Sequence, residues 1–402
     1  MKVLVYWHDI FLPYSDYLIR AFAADSRISE LCIVGPQEYQ AEAIYAGSEN
    51  PQSFASHVTF KKIETYSFRK KWGPISEFKK CIHTFLPDCI IVLDEAFSIN
   101  TLNIGIANML TGNRAKVLFY GFENIYQTPP FQFLFQTPSF QNLFVFLRKT
   151  ARYFFIDFLL QPIRTLVVHG GLACYWESFQ IVHQFGWQPK LKAQWWGLDL
   201  APFQKAAQAP RDLVSASLKP LDPETRIIGY VGRLIQEKGV FDLLEMMRRL
   251  DHHYHLVLVG SGPEESALKQ EVGEPDLINK VTFLPPKSRD ELAKLYRLFD
   301  VLVLPSKTDY FWKEQYGRVL VEAMACGTPV MGSRSGAIPA VIDRAERCFP
   351  EGDIGQMVQI VQSLTSLEEE KQSLQNRSEL GSAQHFVSAY LNLYAELKGA
   401  VS

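Results

Sequence analysis

Two glutamates, Glu314 and Glu322, bracket the start of a short apolar helix in KEQYGRVLVEAMACGTPV, residues 313–330. A helix held in place only by packing needs neither. A helix start exposes unpaired N–H groups and the positive end of the dipole, which suits a phosphate. Glu322 lies about five residues into the helix, or about 7 Å along its axis. That is roughly the reach from a diphosphate to a ribose, whose hydroxyls a carboxylate accepts. Glu314 precedes the helix, on the other side of the phosphates, and suits the hydroxyls of a sugar beyond them. Upstream, GYVGRLIQEKG carries Gly232, Arg233 and Lys238 around a strand-to-helix turn. Arg233 can fork onto phosphate oxygens, Lys238 adds a point charge, and the glycines permit close backbone approach. Alone, such a pair of cations passes equally well for solvated loop charges, and two glutamates at this spacing are common. The combination points to a sugar nucleotide.

These residues need rigid elements to hold them. KVLVYW, LCIVG, HVTFKKI, CIIVLD, KVLFYG and TLVVHG read as strands in the first half, each followed by a helical pattern. Near-continuous apolar strands imply burial on both faces, as in a parallel sheet wrapped by helices. The series restarts with RIIGYVG, HLVLVGSG, KVTFLP, DVLVLPS and TPVMGS, with helices expected near 238–250, 288–298 and 317–326. The expected fold class is α/β: two doubly wound Rossmann-like domains, 1–203 and 204–380, with ligands in a cleft beyond the carboxyl ends of the strands. A final helix in 381–402 has apolar residues at 386, 387, 390, 391 and 394 and must pack against one of them.

The second half resembles the family-four (group 1) retaining glycosyltransferases, which have the GT-B fold. Their paired glutamates are matched by Glu314 and Glu322, their GR…KG by Arg233 and Lys238, and their EAMA-x-G-x-PV run by YGRVLVEAMACGTPV. GSGP at 260–263, VTFLP at 281–285, GAIPAVI at 336–342 and GLDLAPF at 197–203 match weaker landmarks. The resemblance covers about residues 165–398. It implies that Gly232, Arg233 and Lys238 hold the donor diphosphate, that Glu322 holds the ribose, and that backbone N–H groups of Gly317, Arg318 and Val319 face the phosphates. Glu314 would contact the transferred sugar, and backbone near Leu284 would read the base. It also implies retention by front-face attack, no cofactor and no metal ion, UDP as a commoner donor nucleotide than GDP, and a saccharide or lipid-linked acceptor in polysaccharide or glycolipid synthesis. The C-terminal helix would cross back to the first domain.

The first half departs from that pattern. The turn after the first strand, HDIFLPYSDY, has no glycine, and GFENIY stands where many members carry a histidine. Glu123 is therefore the candidate second catalytic group, with Asn124 beside it. His8, Asp9, His169 and Gly170 are candidate cleft residues at strand ends.

Composition narrows the classes further. The chain has 402 residues, 47% hydrophobic and 21% charged, with a formal net charge of -2, so charge gives no reason to expect nucleic acid. Six scattered cysteines read as buried thiols in a reducing compartment. MKVLVYWHDIF reads as a first strand rather than a signal peptide, which favours the cytoplasm. Residues 131–158 hold nine of the 28 phenylalanines, and residues 61–80 hold seven Lys/Arg against two Glu. Together they make peripheral contact with an anionic inner membrane face an expectation, beside the plainer alternative of core and solvated surface. Competing functional readings are a nucleotide-sugar epimerase or phosphorylase of similar fold, or a non-catalytic sugar-nucleotide-binding partner.

Overall fold

The computed structural model of the protein describes residues 1–8, 15–37, 54–65, 73–121, 160–183, 187–205, 222, 224–309, 312–364 and 368–399. The chain forms two units, Met1–Leu198 with Ala383–Ser402, and Asp199–Ser382. The first thus ends at Leu198 rather than at 203. Phe203 explains the difference: it is fully buried against the Tyr296 ring, and its carbonyl accepts a bond from the Arg297 guanidinium.

The first unit is built on a seven-stranded sheet of order β3-β2-β1-β4-β5-β6-β7. Its strands are β1 (Lys2–Tyr6), β2 (Glu30–Pro36), β3 (Val58–Ile63), β4 (Cys89–Val92), β5 (Lys116–Gly121), β6 (Gly170–Ala173) and β7 (Lys190–Ala193), paired in parallel throughout. Apart from half-buried Lys116 at the start of β5, the strands β4 and β5 are buried throughout, as near-continuous hydrophobic runs require. One expected strand is corrected. The first three residues of TLVVHG end a helix, Gln161–Val167, with proline in its first turn, and the strand begins only at Gly170. Glycine is needed there, because a Cβ on Gly170 would lie 2.5 Å from the Lys190 carbonyl and one on Gly171 2.8 Å from the Phe119 ring. KLKA, whose polar pattern hid it, is the edge strand β7.

The second unit holds a six-stranded parallel sheet of order β10-β9-β8-β11-β12-β13. Its strands are β8 (Arg226–Val231), β9 (Tyr254–Val259), β10 (Val281–Leu284), β11 (Val301–Leu304), β12 (Val330–Ser333) and β13 (Cys348–Phe349). The order reverses between β8 and β11, and a doubly wound sheet opens a crevice at the carboxyl ends of such a pair. The expected helices lie at Val240–Arg249, Arg289–Tyr296 and Arg318–Ala325. A capping box of Ser288 and Glu291 starts the second of these.

The helix Ala383–Leu397 belongs to the first unit, burying Phe386, Val387, Tyr390, Leu391 and Leu393 there. The Tyr390 hydroxyl donates to the Phe119 carbonyl at 3.0 Å, and Glu396 pairs with Lys190 at 2.6 Å and with Lys192. All six cysteines are free and buried. Burial pushes their thiols up, Cys174 and Cys326 to about 12, so they stay protonated and unreactive.

Candidate functional site

At the switch point of the second sheet, the segment after β8 meets the end of β11. Gly239, with φ of 66°, makes this approach: a Cβ there would lie 2.0 Å from the Pro305 carbonyl oxygen. The contact carries Lys238 to Glu314. The Lys238 ammonium lies 2.5 Å from Glu314 Oε2 and 4.8 Å from the centre of the Trp312 ring. Ser306 Oγ donates to the same Oε2 at 2.9 Å, and the Gly317 N–H reaches Oε1 at 3.3 Å. Glu314 is only 7% exposed, so it is no solvated loop residue. Placing Glu314 and Lys238 on separate parts of a donor missed that the two are bonded to each other.

The helix Arg318–Ala325 starts at Gly317, whose φ of 71° suits glycine. Leu320, Val321, Ala323 and Met324 bury its inner face. Glu322, also 7% exposed, shares that burial and spends its carboxylate on two partners. Oε2 accepts the Tyr296 hydroxyl at 3.0 Å, and Oε1 lies 3.4 Å from Arg318 Nε. Burial, and then the Glu322 charge, pushes the Tyr296 hydroxyl far up, which keeps it a donor. Two of the roughly four acceptor positions of Glu322 are thereby filled, leaving capacity for hydroxyl donors. Arg318 is exposed and Val319 half-buried at the helix start.

Arg233 sits on the surface. Its carbonyl accepts the Tyr230 hydroxyl at 2.6 Å, so the loop is tied while the side chain extends outward. Burial, and next the Glu314 charge, pushes the Tyr230 hydroxyl up. Gly232 passes beneath Gly260, where a Cβ would lie 1.9 Å from the Gly232 carbonyl oxygen. Leu284 ends β10, and its carbonyl accepts the Gly260 N–H at 3.0 Å. The structure thus bonds Lys238, Glu314 and Gly317 to one another, with Gly232 directly after β8, Glu322 in the helix that Gly317 starts, and Arg233 exposed.

In the first unit the outcome is mixed. His8 follows β1 at the carboxyl edge, half-buried. Asp9, Glu123, Asn124 and the Phe-rich segment 131–158 lie outside the described residues. His169 and Gly170 are corrected: Gly170 begins β6 and His169 directly precedes it, so neither ends a strand. The Val117 N–H donates to His169 Nδ1 at 3.1 Å, beside the start of β5, so both stand at the sheet edge opposite the one where ligands bind. Burial lowers the His169 pKa.

Reading the sequence missed Ser306, Trp312 and Tyr296. Ser306 follows Pro305, just beyond the end of β11, and Trp312 stands two positions before Glu314, so both had a positional signal. Tyr296 had none, since it reaches Glu322 from another helix. Glu95 was also missed. It follows β4, is half-buried, and its Oε2 is 3.9 Å from where a Cβ on Gly121 would stand at the end of β5. Among the described residues no group of three or more His, Cys, Asp or Glu could hold a metal ion, and no helix is long and apolar enough to cross a membrane.

Residues 217–380 match the family model described as glycosyl transferases group 1. The second unit is therefore a group 1 glycosyltransferase domain, and the two parallel-stranded units have the GT-B fold. The chain is 38% identical over 153 residues to the D-inositol 3-phosphate glycosyltransferase of Mycolicibacterium gilvum (strain PYR-GCK), covering 36% of this chain and 32% of that one. It is 33% identical over 211 residues to the enzyme of the same name from Mycolicibacterium smegmatis (strain ATCC 700084 / mc(2)155), covering 50% and 46%. The match thus spans between about a third and a half of these curated relatives' length. Among solved structures, sucrose-phosphate synthase from Thermosynechococcus elongatus aligns over 100% of both chains, with a TM-score of 0.64 and 18% identity. Anabaena HepE in complex with UDP aligns over 97% of this chain and 95% of that one, with a TM-score of 0.58 and 17% identity. At these identities the likeness is one of fold.

Proposed function

We propose that the protein is a retaining glycosyltransferase. It moves a sugar from a nucleotide-diphosphate sugar, UDP-linked in preference to GDP-linked, to a saccharide or lipid-linked acceptor without a metal ion. One observation carries this reading: two buried carboxylates stand on either side of a helix start, one of them bonded to the lysine that would meet the diphosphate. The UDP preference agrees with the UDP in the HepE complex.

In this reading the first turn of Arg318–Ala325, Arg233 and Lys238 take up the diphosphate charge, and Glu322 accepts the ribose hydroxyls. Lys238 then shares its ammonium between the phosphates and Glu314, which frees Glu314 to accept hydroxyl protons of the transferred sugar. As the glycosidic bond breaks, negative charge grows on the leaving diphosphate, where the two cations and the helix dipole stabilise it. The acceptor attacks from the same face and gives its proton to a phosphate oxygen, so the anomeric configuration is kept. Half-buried His8 and Glu95, at the carboxyl edge of the first sheet, are suited to acceptor hydroxyls, and Glu123 is the second catalytic candidate.

Calorimetric titration with UDP, GDP and ADP in EDTA tests the donor half. One nucleotide should bind, and Arg233→Ala and Glu322→Ala should each weaken it by about tenfold or more. Binding that appears only with Mg²⁺ would overturn metal independence. An α-linked product from an α-linked donor would establish retention, and release of an unglycosylated sugar or an epimer would favour the other enzyme classes.

A further inference from the structure

Beyond the residues placed at the donor, a chain of hydrogen bonds reaches Glu314 from the far side. Asp353 caps the helix Ile354–Ser363, and Glu351 stands two residues before it, on the turn that follows β13 and Pro350. The Glu351 carboxylate grips Thr308, which follows the end of β11: Oε2 accepts the Thr308 N–H at 2.7 Å and Oε1 the Thr308 hydroxyl at 2.6 Å. Thr308 Oγ1 also lies 2.9 Å from Ser335 Oγ, just after β12. A carboxylate only accepts, so the single Thr308 hydroxyl proton goes to Glu351, and Ser335 must be the donor in the second bond. Ser335 Oγ in turn accepts the Glu314 N–H at 3.4 Å. Every bond therefore points the same way, from the Glu314 amide through two hydroxyls to one carboxylate, an arrangement in which successive bonds strengthen one another.

The backbone of Glu314 is held on its other side as well. Its carbonyl accepts the Ala337 N–H at 3.0 Å, and a Cβ on Gly336 would stand only 1.9 Å from that oxygen. The main chain at Glu314 is thus fixed by residues that follow β12, and their register to the segment after β11 is set by Thr308. The hydrogen bonds described for Glu351 go to Thr308.

We infer that Glu351 is a positioning residue for Glu314, acting through Thr308 and Ser335. It holds the Glu314 main chain so that the carboxylate meets Lys238 and the transferred sugar together. The role rests on the donor-site reading above, in which Glu314 touches that sugar. Glu351→Gln keeps the size of the side chain but offers one acceptor where two donors arrive. Thr308→Val keeps the shape and breaks the relay, whereas Thr308→Ser preserves it.

The test measures kcat, nucleotide affinity and amide hydrogen exchange at Glu314 in the full chain. Glu351→Gln and Thr308→Val should each lower kcat by about tenfold to a hundredfold, as a slightly misplaced group does. Exchange at Glu314 should quicken by about five- to tenfold as its bond to Ser335 weakens. Nucleotide Kd should stay within about twofold, because the phosphate and ribose groups are untouched. Thr308→Ser should behave as the wild type, and the double variant should be no worse than either single one. Unchanged exchange, additive losses, or a nucleotide affinity that falls in step with kcat would overturn the assignment. If the protein turned over no sugar nucleotide, the donor-site reading would fail on that ground, while the exchange measurement would still decide the coupling.

Discussion

At the residue scale, the bond between Lys238 and Glu314 makes two separate readouts of one site. Glu314→Gln removes the charge proposed to meet the sugar and leaves the helix start, Arg233 and Glu322 in place. Turnover should fall by about a hundredfold or more, while the nucleotide still binds within a few-fold of wild type, as steady-state kinetics and calorimetry would report. Turnover at the wild-type rate would remove Glu314 from its role. Tyr296→Phe takes the buried hydroxyl from Glu322 and leaves a desolvated carboxylate one donor short. It should cost about 1–3 kcal/mol of stability in chemical denaturation and weaken nucleotide binding with it. Spacing and neighbouring residue types singled out both glutamates as candidates. Their partners were not, because Tyr296, Ser306 and Lys238 come from elements whose mutual approach no local pattern records.

At the element scale, glycines set the path of the chain. Gly317→Ala forces φ of 71° on a residue with a side chain, with Leu320 3.0 Å from the new carbon. It should lower stability by about 1–3 kcal/mol, seen as a lower Tm, with nucleotide binding reduced because the helix start shifts. The strand β9 carries a different signal. His255 is buried there, its Nε2 2.9 Å from Thr282 Oγ1, and burial lowers its pKa from 6.5. The folded protein therefore takes up this proton less readily than the unfolded chain. Stability should be level above about pH 6.5 and fall as the pH drops from there toward the folded pKa, as the unfolded state gains protons first. Burial lowers the pKa of His169 too, in the same direction. In thermal melts between about pH 7.5 and 5.5, His255→Gln should flatten part of this slope. A slope unchanged by that substitution would put its origin elsewhere. Apolar runs made most strands legible, but TLVVHG is as apolar as a strand and ends a helix, since a short apolar run fits either element until its neighbours are known.

At the scale of the whole molecule, each unit keeps its own core, and the last helix belongs to the first. Phe386 is fully buried there, against Tyr120, Trp196 and Tyr390. Phe386→Ala should cost about 3–5 kcal/mol and lower the melting transition of the first unit. Nucleotide affinity, which the proposed donor site assigns to residues of the second unit, should change little, and calorimetry on the same preparation would separate the two. Lys62, Lys79 and Lys80 are exposed on the first unit. If an anionic bilayer is the partner there, replacing them with glutamine should reduce binding to phosphatidylserine vesicles but not to neutral ones.

Local chemistry, read along the chain, was enough for the α/β class, the restart after the polar linker, and for naming Arg233, Lys238, Glu314 and Glu322 as site candidates. These follow from periodicity and from residue types set a few positions apart, which strand and helix geometry translates directly into space. Other features arise only when distant segments meet. The ion pair of Lys238 with Glu314, the Tyr296 hydroxyl on Glu322, the relay from Glu351, and the placing of His169 at the amino edge of its sheet each join residues far apart in sequence. Their positions depend on strand order and on close approaches that leave no room for a Cβ, such as that of Gly239 to Pro305, quantities set by close packing of the whole unit and by no single stretch of residues.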